Sequence, residues 1–379
     1  MPDMKERPLQ RPVLKTASEV LMGKKVTNYS NTSEGEVQEL VADNIHEQYA
    51  AFAETDADKR PDLPAANGFT PDEMTFEEYS EYLSCAYKMK KKDGIVEAMA
   101  YTPGEETWVW CMTAHGYLNK MFQLVGNDRD AEVLIWHSYG PNFTGYIGAP
   151  DGQRDTSKPY TLMPEKDYIW RVYERMYHDG THNIENQINI DIPTIGIWQG
   201  GGFHSEIAML CDITIATEDA WTTEQHFRVN MVPGDGIQTC WRRLMGDKRF
   251  AYAELTGEII TAKKALEYGM INEIVPTKED AIKRAYEIAD LIMHSGTRQT
   301  RRLTIQYIRQ RWKEAFAQEL RPWFAAEMWN SISEESPHHP LYWEIPKAQA
   351  KAVLEAEKKG KIVKPRLGPF IEEDDPRRK

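Results

Sequence analysis

A chain of 379 residues can bury a large core and leaves room for two or three domains. Its composition, 41% hydrophobic and 28% charged, is that of an ordinary globular protein. Acidic residues outnumber basic ones, the net charge is −13, and no basic stripe alternates with aromatics; this excludes nucleic acid as the expected partner, because phosphate binding needs a clustered positive field.

Residues 1–75 are polar and punctuated by proline, as in ETDADKRPDLPAANG, and read as an extension. Short helices are expected near Val20–Met22 and Val37–Tyr49. From about Phe76 strands and helices alternate. GIVEAMAYT and TWVWCM read as strands, followed by a helix from Ala114 to Val125. AEVLIWHSYG is a strand that ends in the turn-rich loop PNFTGYIGAPDG. An amphipathic helix is predicted over about Lys166–Asn189, then strand PTIGIWQ, a helix from Phe203 to Cys211, and strand DITIAT. After the irregular WTTEQHFRVNMVPGDG come helices with short loops to about Lys313, and a further helix through RPWFAAEMWNSI. Strand–helix alternation of this kind predicts an α/β fold with both sheet faces covered. The expected organisation is an extension (1–75), an α/β core (76–275), a helical region (276–335) and a C-terminal arm (336–379) that packs on the body or on a neighbour.

The cysteines Cys85, Cys111, Cys211 and Cys240 show no C-x-x-C spacing. The segment MPDMKERPLQRP lacks the apolar run of a signal peptide, and no run approaches a membrane span. A cytoplasmic protein without a membrane partner is the expectation. Linear metal motifs are missing as well. His204 and Glu206 form H-x-E without a following P-C-x-x-C. His178 and His182 have helical spacing, but Gly180 suggests a helix break between them, and His338-His339 lies beside prolines. No metal site and no cofactor are expected.

The most informative stretch is 191–275. Strand-like PTIGIW gives way to Gly200-Gly201-Gly202, and an apolar ladder restarts after His204. His226 and Asp235 follow where the periodic pattern fails again, and local rules usually break at functional sites. Taken singly, each polar residue has a plainer reading: a helix cap for His204, a surface group for His226, a turn for Asp235. Trp110 in a strand reads as core, and Glu327 as a solvated helix face.

Taken together, IPTIGIWQGGG, SEIAMLCDITIAT, VNMVPGDG and LTGEIITAKKALEYGMINEIV resemble the crotonase (enoyl-CoA hydratase/isomerase) superfamily over about residues 85–330. The resemblance implies a crotonase-like spiral of ββα units with a C-terminal helical trimerisation region, assembled as a homotrimer or dimer of trimers. It also implies an oxyanion hole made by backbone N–H groups near Gly145 and Phe203, where glycines allow close approach and a helix start favours negative charge. Hydratases of the family use two glutamates; one matches Glu206, but His226 stands in place of the other. Trp110, His115, His204, His226, Asp235 and Glu327 instead resemble the β-diketone hydrolase branch typified by 6-oxocamphor hydrolase.

That branch implies hydrolytic ring opening of a cyclic 1,3-diketone to a keto acid. His226 is expected to be the base and Asp235 the carboxylate that orients its ring. His204 and Trp110 would hold substrate oxygen, and His115 or Glu327 would return a proton to carbon. Phe203, Gly145 and Glu206 complete the expected substrate contacts. An acyl-CoA hydratase, or a ring-opening hydrolase of a cyclic β-oxoacyl-CoA, is the alternative.

Overall fold

The structure is a computed structural model describing residues 74–110, 112–145, 172–229, 231–333 and 341–365. The expected helices near Val20–Met22 and Val37–Tyr49 therefore lie outside the described residues. Everything described belongs to the compact unit Met74–Lys379.

Helix α1 (Phe76–Tyr82) starts at a reciprocal cap in which the Thr75 hydroxyl accepts from the Glu78 N–H and the Glu78 carboxylate accepts from the Thr75 N–H. A hairpin follows, β1 (Tyr87–Lys92) and β2 (Ile95–Ala100), paired antiparallel. From β2 the sheet continues in parallel through β3 (Val133–Ser138), β4 (Thr194–Trp198), β6 (Ile213–Thr217) and β9 (Glu273–Val275). A second, smaller sheet joins β5 (Gly201–Gly202), β7 (Trp221–Thr222) and β8 (Ile260–Thr261). This is the mixed α/β fold expected from the pattern. Strand β1 was not legible in sequence: YKMKKK holds four lysines, which suit a sheet edge paired on one side only.

Strand alternation divides the main sheet between two cores. Val133, Ile135, Ile195, Ile197 and Ile215 pack on one face against Ala281, Ala285, Ile288 and Ala289 of helix α8 (Lys278–His294). Their alternates Leu134, Trp136, Trp198 and Ala216 face the larger core. That core also takes in α2 (Met112–Asn127), α3 (Asp179–Asn189, entered through a π-helical turn at Val172–His178) and the one-turn α4 (Glu206–Met209). A Cβ at Gly196 would lie 2.5 Å from the Ala208 carbonyl, so glycine on β4 is what lets α4 lie against the sheet.

Helices α5 (Ile237–Met245), α6 (Asp247–Thr256) and α7 (Ala262–Tyr268) follow, the last capped by the Thr261 hydroxyl and ended by Gly269 at φ +78°. Two expected elements differ. TWVWCM makes only an isolated bridge, Val109 to Gly145, instead of a strand. The helices anticipated before and after Pro322 form one helix, α9 (Arg298–Ser333), because the buried stripe Phe316, Leu320, Phe324, Met328 continues through the proline. The C-terminal arm forms α10 (Leu341–Lys358) and packs on the body, with Ala350 and Val353 against Trp221 and Ile259 and the Thr261 hydroxyl donating to Glu357 at 2.9 Å. No described helix is long and apolar enough to cross a membrane.

Arg309 joins α9 to the sheet. Its guanidinium, 2% exposed, donates to Asp212 (Nε to Oδ1, 2.8 Å), to the Ile192 carbonyl (3.1 Å) and to the Thr194 hydroxyl (2.9 Å). Asp212 accepts in turn from the Thr194 N–H at 2.7 Å. Arg309→Met leaves Asp212 buried without its cation, and urea unfolding is expected to show a loss of about 3–5 kcal/mol. A double substitution Arg309→Met, Asp212→Leu should recover part of it.

Candidate active site

Five segments far apart in sequence converge beside β5. The first runs from Trp108 into α2 and brings Trp110 and His115. The Trp110 ring is edge-on to Trp108 (5.5 Å), tilted against His115 (4.6 Å) and stacked on His204 (4.0 Å between centroids, 26° between planes). His204 leaves the glycine run with φ +56°, a left-handed conformation that few non-glycine residues adopt and that recurs at functional sites. The anticipated helix from Phe203 thus begins only at Glu206, and the turn aims the His204 ring into the cluster instead of along a helix face.

The two imidazoles are each held by a carboxylate two residues away. Glu206 lies 2.9 Å from His204 Nδ1, and Glu224 lies 2.6 Å from His226 Nδ1 while also accepting the His226 backbone N–H at 2.7 Å. Asp235 stands between the rings, with Oδ2 3.5 Å from His204 Nδ1 and 3.7 Å from His226 Nε2. Glu327, delivered by α9, is 3.8 Å from His226 Nε2. Gly234 makes this approach possible: a Cβ there would sit 2.2 Å from the Trp323 carbonyl oxygen and 2.9 Å from Glu327 Cβ. The Val232 N–H donates to Asn330 at 2.8 Å and fastens the same loop to the same helix.

Trp110, His115, His204, Glu206, His226, Asp235 and Glu327 are thus brought together, but two expected roles change. Asp235 does not orient His226 by its Nδ1; Glu224 does, because the tight E-x-H turn places its carboxylate under both the ring and the backbone N–H. Glu206 serves His204 in the same way. Glu224 was missed by sequence reading, although TTEQHF carried the signal of an acid two residues before a histidine. The second difference concerns the expected oxyanion pair. The Gly145 N–H donates to the Trp108 carbonyl (2.6 Å), and the Phe203 N–H to the Thr144 hydroxyl (2.7 Å), which itself donates to the Phe203 carbonyl (2.9 Å). Both N–H groups are used to fasten the loop after β3 to the β5 turn.

Burial and mutual charge set the protonation states. Burial alone would lower the His226 pKa, but Glu224, Asp235 and Glu327 together hold it well above the usual imidazole range. His204 is raised too, against burial, by Glu206 and then Asp235. The two carboxyls at His226 Nε2 move in opposite directions. Burial would raise Asp235, yet His226 and His204 hold it below the ordinary carboxylate value. Glu327 is driven well above that value by burial and by the Asp235 charge. Behind them, Glu254 on α6 is pushed up to about 8 by burial and by Glu224. The two carboxyls facing His226 Nε2 are thus shifted apart, a pattern that separates acid from base.

Two triads also have metal-ligand geometry, His204–Glu206–Asp235 and His226–Asp235–Glu327, with their ligating atoms within 4.8 Å of one another. Neither has a linear motif, so sequence reading found no site there. The rings of His178 and His182 lie tilted against each other with centroids 4.4 Å apart; Gly180 lies inside α3 and does not break it as expected.

Residues 172–323 match the family profile for enoyl-CoA hydratase/isomerase. The chain has a crotonase-like fold. Among solved structures, the crotonase fold here is similar to a β-diketone hydrolase from the cyanobacterium Anabaena bound to (S)-3-oxocyclohexyl acetic acid, with TM-score 0.60 and 23% identity over 70% of this chain and 98% of that one. It is similar as well to an enoyl-CoA hydratase/isomerase from Mycobacterium paratuberculosis, with TM-score 0.56 and 17% identity over 66% and 95%. By sequence the chain is 33% identical over 180 residues to a probable peroxisomal enoyl-CoA hydratase of Arabidopsis thaliana, a match that covers 46% of this chain and 61% of that protein. A hydroxycinnamoyl-CoA hydratase-lyase of Pseudomonas fluorescens is 24% identical over 195 residues.

Gly234→Ala is expected to push the Asp235 loop off α9. Thermal unfolding should report a destabilisation of about 1–3 kcal/mol, the size of an overpacking change. Activity should fall well beyond what that loss of folded protein explains.

Proposed function

We propose that this protein is a hydrolase that opens a cyclic 1,3-diketone by retro-Claisen cleavage, yielding a keto acid. The observation that carries the reading is the His226 imidazole, fixed by Glu224 at Nδ1 and facing at Nε2 two carboxyls shifted apart, Asp235 held below and Glu327 above the ordinary carboxylate value. His226 Nε2 takes a proton from water as the oxygen bonds to a ring carbonyl carbon. His204, charged by its Glu206 and Asp235 neighbours, donates through Nε2 to substrate oxygen, and the Trp110 ring stacked on it favours that charge. The tetrahedral adduct collapses, the carbon–carbon bond breaks, and its electron pair becomes an enolate on the second carbonyl. Glu327 returns a proton to the enolate carbon and is restored by the proton on His226. Water is the only co-reactant, and His115 beside Trp110 completes the wall that orients the ring.

The substrate class follows from this chemistry: a diketone held in the keto form, either a cyclohexane-1,3-dione such as dihydrophloroglucinol or a bicyclic diketone. The keto acid bound to the Anabaena relative is of the product type this reaction makes. Acyl-CoA hydration is the rival reading, favoured by the hydratases among the sequence relatives. Against it stands Glu206, engaged with His204 instead of paired with a second glutamate across a water.

The protein should consume cyclic 1,3-diones, followed by loss of enolate ultraviolet absorbance, and leave crotonyl-CoA and a cyclic β-oxoacyl-CoA unchanged. Turnover of the CoA esters alone would overturn the assignment. His226→Ala should lower kcat/KM about 10²–10⁴-fold.

The pH profile carries a sign. Because Glu224, Asp235 and Glu327 raise the His226 pKa against the burial that would lower it, the neutral base appears only above the ordinary imidazole value of about 6.5. kcat/KM should rise with pH through a limb above that value. In Glu224→Gln the limb should move down; an unmoved limb would take the base role from His226.

We further propose a homo-oligomer, a trimer or dimer of trimers, that covers Leu303, Tyr307, Trp323 and Trp329, all more than half exposed on α9. A clean monomer by light scattering would remove that part.

A further inference from the structure

We propose that His226, Asp235 and Glu327 form a binding site for a divalent transition-metal ion of the zinc or cobalt type, and that the ion inhibits the enzyme by occupying His226 Nε2. This inference rests on the geometry of the cluster and holds whichever reaction the site performs.

Three observations carry it. His226 Nε2 lies 3.7 Å from Asp235 Oδ2 and 3.8 Å from Glu327 Oε1, too far for hydrogen bonds, so the three groups face a common gap. Bonds of about 2.0–2.2 Å to a four-coordinate zinc ion place its ligand atoms roughly 3.4 Å apart, a few tenths of an ångström closer than the two distances from His226 Nε2, and all three ligand atoms already lie within 4.8 Å of one another. Second, the other face of the imidazole is already arranged as metal-ligating histidines require: Nδ1 donates to the Glu224 carboxylate at 2.6 Å, which fixes the tautomer with Nε2 free for an ion. Third, Glu327 is 2% exposed and its Oε2 has no hydrogen-bond partner. A buried carboxylate oxygen left over beside the gap is what an incoming cation satisfies.

Charge agrees with geometry. A neutral imidazole and two carboxylates sum to −2, which a divalent ion cancels, with water in the fourth position. Binding displaces the protons on His226 and Glu327, and both leave to solvent. The donor set of one nitrogen and two oxygens suits zinc or cobalt better than magnesium or calcium, which take oxygen alone. His204, held at Nδ1 by Glu206, stays outside the ion's shell.

The test uses the full-length protein, stripped with a chelator and dialysed against Co²⁺ or Zn²⁺. One ion per chain is expected, and the Co²⁺ form should show the visible ligand-field absorption of a four-coordinate site. Glu327→Gln and His226→Ala should abolish that absorption, and Glu224→Gln should weaken binding about 10–100-fold. His182→Ala, which removes the surface histidine pair, should leave the stoichiometry and spectrum unchanged. Zn²⁺ should inhibit turnover of whichever substrate is processed, reversibly with chelator. Binding that survives Glu327→Gln and His226→Ala, or that is lost only in His182→Ala, would overturn the proposal, as would no binding above that of His226→Ala. Because dialysis and the Co²⁺ spectrum need no substrate, these outcomes are separate from failure of the diketone assay, which is run with chelator present.

Discussion

The site depends on one carboxylate placed between two imidazoles. Asp235 Oδ2 is within 4 Å of a ring nitrogen on both His204 and His226, and its charge adds to that of Glu206 on the first and Glu224 on the second in raising both imidazole pKa values against burial. Burial and then that same charge raise the Glu327 pKa, because two buried carboxyls facing one ring nitrogen cannot share ionisation cheaply. The titration of the cluster is therefore a property of one coupled group of charges, not of separate residues.

Holding that group in place falls to backbone devices some distance away. Arg309 fastens α9 to the ends of β4 and β6 through Asp212. Glu327 follows Arg309 by eighteen residues, about five helical turns, so both project from one face of the helix. The anchor that fixes the helix against the sheet thereby sets the depth of the carboxyl in the site. Gly234 allows the opposing loop to touch that helix, and the left-handed turn at His204 aims its ring at the loop. Small backbone requirements at these two positions decide distances that no side-chain choice in the cluster could correct.

The same contacts assign Glu206 a supporting place: it is drawn onto His204 Nδ1 and orients that ring. The N–H groups of Gly145 and Phe203 are likewise spent on the loop–turn connection through Trp108 and Thr144.

The amino-acid sequence by itself determined the α/β alternation, the glycine turn, and most members of the cluster. Apolar periodicity and breaks in it are local signals, and unusual residues on a recognisable frame stand out one position at a time. Glu224 and strand β1 escaped because an acid near a histidine and a lysine-rich run look like solvated surface until burial and pairing are known. Which carboxylate serves which imidazole, that α9 runs on through Pro322, and that the two backbone donors are engaged were decided only by tertiary structure. Those outcomes turn on differences of an ångström between groups as much as a hundred residues apart, and the electrostatics follow from the distances.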